Sequence, residues 1–242
     1  MSGVEHYVGA ELELFAKARI WKSYLTGLIR PHLGRDVLEV GAGQGSTTAA
    51  LCRGPFQRWL CLEPDARLAQ STAGMIRSGE LPRFCESRVS TLRELPSEEQ
   101  FDSVLYIDVL EHIADDVEEL RCAAARLRPG GKLIVLAPAH QWLFSPFDRA
   151  IGHYRRYTGT SLRAVMPKEL RLYELKYVDA VGLVASAGAR FVFRNGTPSP
   201  WQIQLWDKGM VRLSRVVDPV LGHAIGKSVL GVWQRREERA SA

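Results

Sequence analysis

The sequence predicts an α/β fold with a mostly parallel sheet, and three observations carry that expectation. Short apolar runs alternate with stretches of helical periodicity from residue 37 onward. A glycine-rich turn, Gly41-Ala42-Gly43-Gln44-Gly45, joins the first apolar run to the first of these helices. An amphipathic segment precedes them all. Strand, helix, strand repeated in this way means right-handed crossovers and parallel pairing.

The leading segment, residues 11–30, carries Leu14, Ala18, Trp21, Leu25 and Leu28 at alternating three- and four-residue spacing. Glu11 and Glu13 come early and Lys17, Arg19 and Lys22 later, an order that suits the helix dipole. Strands are expected over residues 37–40, 59–62, 84–89, 104–107 and 133–137, the central ones as buried runs. Helices fall over 46–52, 66–77 and 117–127, with Asp115 and Asp116 placed to cap the last and Pro129-Gly130-Gly131 to end it and turn into the next strand. Two further strands are expected over 172–181 and 228–233, with a helix over 201–217 behind Pro198 and Pro200. The 235–239 run reads as a frayed, solvated end.

Composition narrows the function classes. The 32 basic against 27 acidic residues give a net charge of +5, too mild and dispersed to argue for nucleic acid, and a small anionic substrate fits equally well. Cys52, Cys61, Cys85 and Cys122 have no short pairing spacing, so neither a zinc site nor a disulfide framework is expected, which suits a reducing compartment. The amino terminus lacks a basic stretch followed by an apolar run, and no stretch approaches the length of a membrane span. A cytoplasmic, soluble protein is the expectation.

The chemistry begins at Gly41, Gly43 and Gly45. Glycines at alternate positions between a buried strand and a helix allow a tight turn and let a ligand touch the main chain where a Cβ would collide. A nucleotide-type cofactor is implied; a plain glycine-rich turn is the alternative. A dinucleotide would want GxGxxG to seat its pyrophosphate, whereas here the spacing is GxGxG and the acid Glu39 precedes it. A carboxylate beside the loop suits a cationic cofactor. Glu63 ends the second run, about twenty residues past the loop, where a carboxylate can accept both hydroxyls of a ribose. NAD enzymes share that acid.

These residues resemble the class I S-adenosylmethionine-dependent methyltransferases. Glu39 with Gly41, Gly43 and Gly45 looks like their first motif and Glu63 like their ribose acid. Phe101 to Ile113, containing Asp108 and His112, resembles the fourth-strand motif, and Leu127-Arg128-Pro129-Gly130-Gly131-Lys132-Leu133 the turn into the fifth strand. More narrowly, the chain is similar to bacterial small-molecule methyltransferases with a Gly-His-x-Arg-Arg-Tyr segment after the fifth strand, here Gly152 to Tyr157. The resemblance implies a Rossmann-like three-layer sandwich whose seven-stranded, mostly parallel sheet has its antiparallel seventh strand between the fifth and sixth, plus the N-terminal helix. It also implies S-adenosylmethionine as cofactor and methyl transfer as reaction. The expected organisation is one domain over residues 1–242: a helical cap (1–34), a cofactor-binding core (35–140), and an acceptor-side loop with C-terminal strands (141–242).

Relatives often place an adenine-binding acid after the third strand, but here the stretch reads Arg88-Val89-Ser90-Thr91-Leu92, so Thr91 and main-chain groups around Leu92 are expected to hold adenine. Asp108 ends an apolar run at the carboxyl edge of the sheet, where it either contacts cofactor or acceptor or caps a helix. His112 is expected to pack against the sheet. The long stretch from His140 to Thr158 follows the fifth strand at the same edge. On one reading, Trp142 and Tyr157 wall an acceptor pocket, His153 or His140 takes a proton, and Arg155 and Arg156 hold an anion. On the other, the arginines pin the loop through salt bridges to Asp148 and sheet-edge carbonyls. Tyr7, Phe15 and Trp21 near the leading helix suggest a lid or core packing.

Three functions are carried forward. The first is a methyltransferase acting on a small-molecule or lipid-linked metabolite, with no metal and no nucleic-acid partner. The second is an NAD-dependent oxidoreductase or epimerase, disfavoured by the GxGxG spacing and by the lack of a Tyr-x-x-x-Lys pair. The third is a non-catalytic S-adenosylmethionine-binding protein. Oligomeric state is not set by the sequence.

Overall fold

A computed structural model describes residues 15–192 and 199–237. Tyr7, Glu11, Glu13, Leu14 and Pro198 of the preceding section lie outside the described residues. Seven strands form one sheet: β1 (Asp36–Val40), β2 (Arg58–Glu63), β3 (Cys85–Val89), β4 (Phe101–Ile107), β5 (Leu127–Pro138), β6 (Leu170–Val178) and β7 (Ser228–Arg235), in the order β3-β2-β1-β4-β5-β7-β6. Strands β1 to β5 pair in parallel, and β7 runs antiparallel between β5 and β6. This is the Rossmann-like arrangement expected above, with β1 and β4 at the point where strand order reverses.

The helices cover both faces because side chains alternate along each strand. Leu38, Leu60, Val104, Tyr106 and Val135 enter one core with Leu120 and Ala123 of α4 (Asp116–Ala125). Val37, Cys61, Leu105, Ile134 and Leu136 enter the other, with Trp21, Tyr24, Leu25 and Ile29 of α1 (Arg19–Ile29). The short α2 (Ser46–Leu51) follows the glycine turn, and α3 (Ala66–Ser78) is capped by Asp65, whose carboxylate accepts the amides of Arg67 and Leu68. Asp115 caps α4 as expected, accepting the Glu118 amide.

The later chain departs from the expected bounds in three places. Helix α4 ends at Ala125, and Pro129-Gly130-Gly131 lies inside β5. Strand β6 stops at Val178, where Asp179 takes a φ of +67°, and α7 (Ala180–Val192) begins. Apart from two residues placed in the preceding strand, that helix is unassigned in the sequence, because its Ala, Val and Leu residues leave no polar face to set a period. Arg235 belongs to β7, its guanidinium donating to the Leu127 carbonyl, so the tail starts later than expected. Between β5 and β6 stand α5 (Pro146–Ala150) and α6 (Gly159–Ala164). Between α7 and β7, α8 (Pro200–Leu205) runs through a π-helical turn (Trp206–Met210) into α9 (Val211–Val220). Asp207 of that turn accepts the first amides of α1, from Ile20 and Trp21, which ties the leading helix to the C-terminal ones.

Candidate functional site

The carboxyl edge of the sheet collects the polar groups. There Gly41, Gly43 and Gly45 have φ of +67°, +56° and +80°, a region open to glycine at no steric cost. A Cβ on Gly41 would lie 2.7 Å from Val109, and one on Gly45 2.9 Å from the Thr72 hydroxyl. Glu63 at the end of β2 accepts the Gly43 amide at 2.9 Å and the Asp65 amide at 3.0 Å. Its burial pushes the carboxyl above the ordinary range, and the two amides oppose that shift. Glu39 accepts hydrogen bonds from the Thr48 hydroxyl and the Trp59 indole, both at 2.8 Å. Burial raises its carboxyl to about 7. Glu39 thus braces β1 against α2 and β2.

Beside the loop lies an open cavity of about 490 Å³ lined by Ala16, Lys17, Arg19 and Gln44. The Gln44 side-chain nitrogen is buried there without a hydrogen-bond partner among the described residues. Sequence reasoning overlooked Gln44 because it treated the residues between the glycines as spacers. The adenine candidates differ in kind. Thr91 is exposed, and its amide and hydroxyl both donate to Glu94 within a capped turn, at 2.7 and 3.0 Å. The Leu92 side chain is buried in the core with Leu60, Leu62 and Leu120, so only its main chain remains for a ligand.

At the end of β4, Asp108 takes a φ of +55°, and its amide donates to the Leu136 carbonyl. The side chain is accessible from the cleft, yet the protein around it raises the carboxyl to about 6, against the pull of His153 and Lys227. Three residues on, Glu111 is 1% exposed, and its Oε2 has no partner among the described residues. Desolvation holds its carboxyl well above the usual range. The His112 and His153 rings meet edge to face at 4.5 Å. Burial, with the neighbouring His153, pushes His112 down to about 4. One ligand-type atom from each of Glu111, His112 and His153 lies within 4.8 Å of the others.

The loop after β5 is organised around Asp148. Its carboxylate accepts the Ser145 amide and hydroxyl, lies 3.0 Å from His153 Nδ1, and receives Arg156 through Nε and Nη2 at 2.9 and 3.0 Å. These partners hold the Asp148 carboxyl well below the usual range despite its burial. Arg155 is 2.6 Å from Asp116 and donates to the Ala114 carbonyl, and the buried Tyr157 hydroxyl donates to Asp116 at 2.7 Å. These contacts match the pinning role read as the alternative for Arg155 and Arg156: Arg156 bonds Asp148 within the loop, and Arg155 and Tyr157 fasten the loop to Asp116 of α4. The buried carboxylates of Asp148 and Asp116 need these donors: the Arg156 fork closes on Asp148, and Arg155 divides between Asp116 and the Ala114 carbonyl. Trp142 is 52% exposed, its ring 5.8 Å from His140. His140 has φ +65°, stacks on Tyr177 at 5.3 Å and places Nε2 3.0 Å from the Gly226 carbonyl.

Lys227 was missed by sequence reasoning. Its amide donates to the Asp179 carbonyl and its carbonyl accepts the Ala139 amide, while Nζ lies 5.4 Å from the Trp206 ring. Desolvation lowers the ammonium's pKa, against the attraction of Asp179, Asp148 and Asp108. A signal was available. A strand antiparallel to β5 must begin where β5 ends, so the residue just before β7 returns to the ligand edge, and Pro138 indeed faces Ser228.

Residues 38–133 match a methyltransferase domain family. The matched span runs from β1 through the glycine loop, Glu63 and Asp108 into β5. Over 104 residues the chain is 36% identical to a ubiquinone biosynthesis O-methyltransferase of Paramagnetospirillum magneticum, covering 43% of this chain and 41% of that one. It is 26% identical over 166 residues to a demethylmenaquinone methyltransferase of Tropheryma whipplei, covering 64% and 62%. The chain spans about half or less of the length of the first curated relatives it matches. Among solved structures, it superposes with a TM-score of 0.64 on the complex between the Haloferax volcanii Trm112 methyltransferase activator and a methyltransferase, at 16% identity and 96% coverage of each chain. Geranyl diphosphate C-methyltransferase from Streptomyces coelicolor A3(2), solved with Mg2+, geranyl diphosphate and S-adenosyl-L-homocysteine, gives 0.62 at 17% identity, covering 97% and 86%. The fold is that of the superposed methyltransferases, and residues 38–133 match a methyltransferase domain.

Proposed function

We propose that the protein transfers a methyl group from S-adenosylmethionine to a small-molecule or lipid-linked acceptor bound between Asp108, the 140–157 loop and Lys227. The observation that carries this reading is the Glu63 carboxylate fixed on the Gly43 amide, at the point of strand reversal and within the matched domain. Its remaining lone pairs are suited to ribose hydroxyls. The partnerless Gln44 amide nitrogen, with Lys17 and Arg19 around the same cavity, fits the carboxylate of an amino-acid tail. Main-chain groups at Leu92, with Thr91, are the proposed adenine contacts.

The bound cofactor supplies a methyl group already made electrophilic by its sulfonium, so the protein's part is alignment, exclusion of water and handling of one proton. Three groups are candidates for the proton. Asp108, with a carboxyl near 6, is mostly ionised at neutral pH and basic enough to accept it. His153 donates Nδ1–H to Asp148, which leaves the Nε2 lone pair for a proton. His140 donates from Nε2 to Gly226 and keeps Nδ1 as its acceptor nitrogen. With Arg155 and Arg156 committed to carboxylates, Lys227 is the cation available to an anionic acceptor.

The name of the ubiquinone biosynthesis O-methyltransferase relative favours a small-molecule acceptor methylated at oxygen. Incubation with S-adenosylmethionine and a panel of hydroxylated aromatic and prenylated compounds tests the reading by mass spectrometry. One acceptor should gain the mass of one methylene as the demethylated cofactor appears. Cofactor binding without turnover across the panel would favour a non-catalytic binding protein.

A further inference from the structure

The helices over the acceptor edge have the wrong polarity for a water-facing layer. In α9 the residues turned inward are Val211, Ser214 and Asp218, and the last two are polar. Asp218 accepts the Tyr24 hydroxyl and the amides of Asp179 and Ala180, and Ser214 donates to Asp179. The outward stripe, Leu213, Val216 and Val220, is apolar and exposed, Val220 by 81%. A spacing of three and four residues puts these on one side of the helix, opposite the buried stripe.

The π-turn extends that stripe. Leu205 and Leu213 are eight residues apart, which on a regular α-helix leaves them about 80° out of line. Five π-helical residues underwind the chain by roughly that angle, so Trp201 and Leu205, both exposed, come onto the same side as Leu213, Val216 and Val220. Val184 of α7, packed against α9, and Leu221 and Ile225 beyond α9 add exposed apolar surface.

The charge on this layer has one sign. In sequence, residues 180–227 hold six basic residues and two acids. Both acids, Asp207 and Asp218, are buried and bonded to main-chain amides, while Lys208, Arg212 and Arg215 are exposed beside the apolar stripe. Among the described residues of this segment, no carboxylate reaches the surface to oppose them.

We infer that α7, α8 and α9 form an interfacial surface that docks the protein on anionic lipid bilayers. An apolar stripe with Trp201 on it, flanked by exposed cations, buries its side chains at the headgroup boundary while Arg212, Arg215 and Lys208 meet lipid phosphates. Water leaves the apolar stripe unburied, and a neutral protein partner offers the cations no opposite charge. No described helix is long and apolar enough to cross a membrane, so the contact is peripheral. On the function proposed above, the same surface brings the cleft, through Trp206 and Lys227, to an acceptor whose tail remains in the bilayer.

Vesicle co-sedimentation tests this without cofactor or turnover, so its outcome is separate from that of the methyl-transfer reading. The full chain should bind phosphatidylglycerol-containing phosphatidylcholine vesicles at low salt, at least about tenfold more tightly than vesicles of phosphatidylcholine alone. The double variant Leu213→Asp/Val216→Asp should lose about tenfold or more of that binding, as should Arg212→Glu/Arg215→Glu. All these side chains are exposed, and unchanged melting temperatures would show that the variants are folded. No binding to anionic vesicles, or equal binding by folded variants, would overturn the proposal. So would light scattering that shows a dimer broken by Leu213→Asp/Val216→Asp, since a second copy would then cover the stripe.

Discussion

The carboxylate of Glu63 accepts the main-chain amide of Gly43 across 2.9 Å, tying the end of β2 to the crest of the glycine loop. Ribose hydroxyls offered to the same carboxylate add charge-assisted hydrogen bonds of roughly 1.5 to 3 kcal/mol each. Glu63→Ala should therefore weaken S-adenosylmethionine binding at least about tenfold. Calorimetry giving wild-type affinity in this variant would remove Glu63 from the site.

Gly43 stands in left-handed backbone at φ +56° in the proposed cofactor loop. A branched side chain there is strained and occupies the space where a ligand approaches the main chain. Gly43→Val should abolish detectable cofactor binding while the circular dichroism spectrum stays that of the folded protein. Folded protein with normal affinity would contradict the loop assignment.

Arg156 and Arg155 separate by what they leave behind. Asp148 is 1% exposed and accepts two hydrogen bonds from Arg156, so Arg156→Ala leaves the buried carboxylate to Ser145 and His153 alone, at a cost of roughly 1.5 to 3 kcal/mol for each charge-assisted bond lost. At roughly 2 to 4 °C per kcal/mol for a chain of this size, the melting temperature should fall markedly. Arg155→Ala should cost less, because its side chain is 29% exposed against 11% for Arg156, so its attraction to Asp116 is more screened. A variant of Arg156 that melts like the wild type but no longer turns over would restore the acceptor role first read from the sequence.

Glu39 gives stability a pH dependence of known sign. Its folded carboxyl sits near 7, above the unfolded value of 4.5, so its contribution is fully present below about pH 4.5 and lost as pH rises through 7. Glu39→Gln keeps an acceptor for Thr48 and Trp59 without the charge. The wild type should therefore gain stability relative to this variant as pH is lowered from 8 to 5. Parallel melting curves across that range would mean that Glu39 is ionised in the folded protein as it is in the unfolded one.

How far the sequence could be read followed from how local the determinants were. β1, β2, β7, α2 and α3 come from apolar period, glycine and capping residues close in the chain, and they stand within a residue or two of expectation. Helix α7 was hidden because an apolar stretch without a polar face carries no period. In the site, Gly41, Gly43, Gly45, Glu63 and Asp108 gather where strand ends must gather. For Arg155 and Arg156 the sequence offered two uses, pinning the loop to Asp148 among them, and the choice between them depends on Asp116 and Asp148, which reach the arginines only after folding. Lys227 is distant in sequence from every other site residue, and only the antiparallel entry of β7 brings it to the edge.

The cofactor assignment underlies every proposed step, and a calorimetric titration of the full chain with S-adenosylmethionine, its demethylated product and NAD tests it most directly. One molar equivalent of S-adenosylmethionine and of the demethylated product should bind, each dependent on Glu63, with no heat from NAD. Saturable binding of NAD with none of S-adenosylmethionine would contradict it.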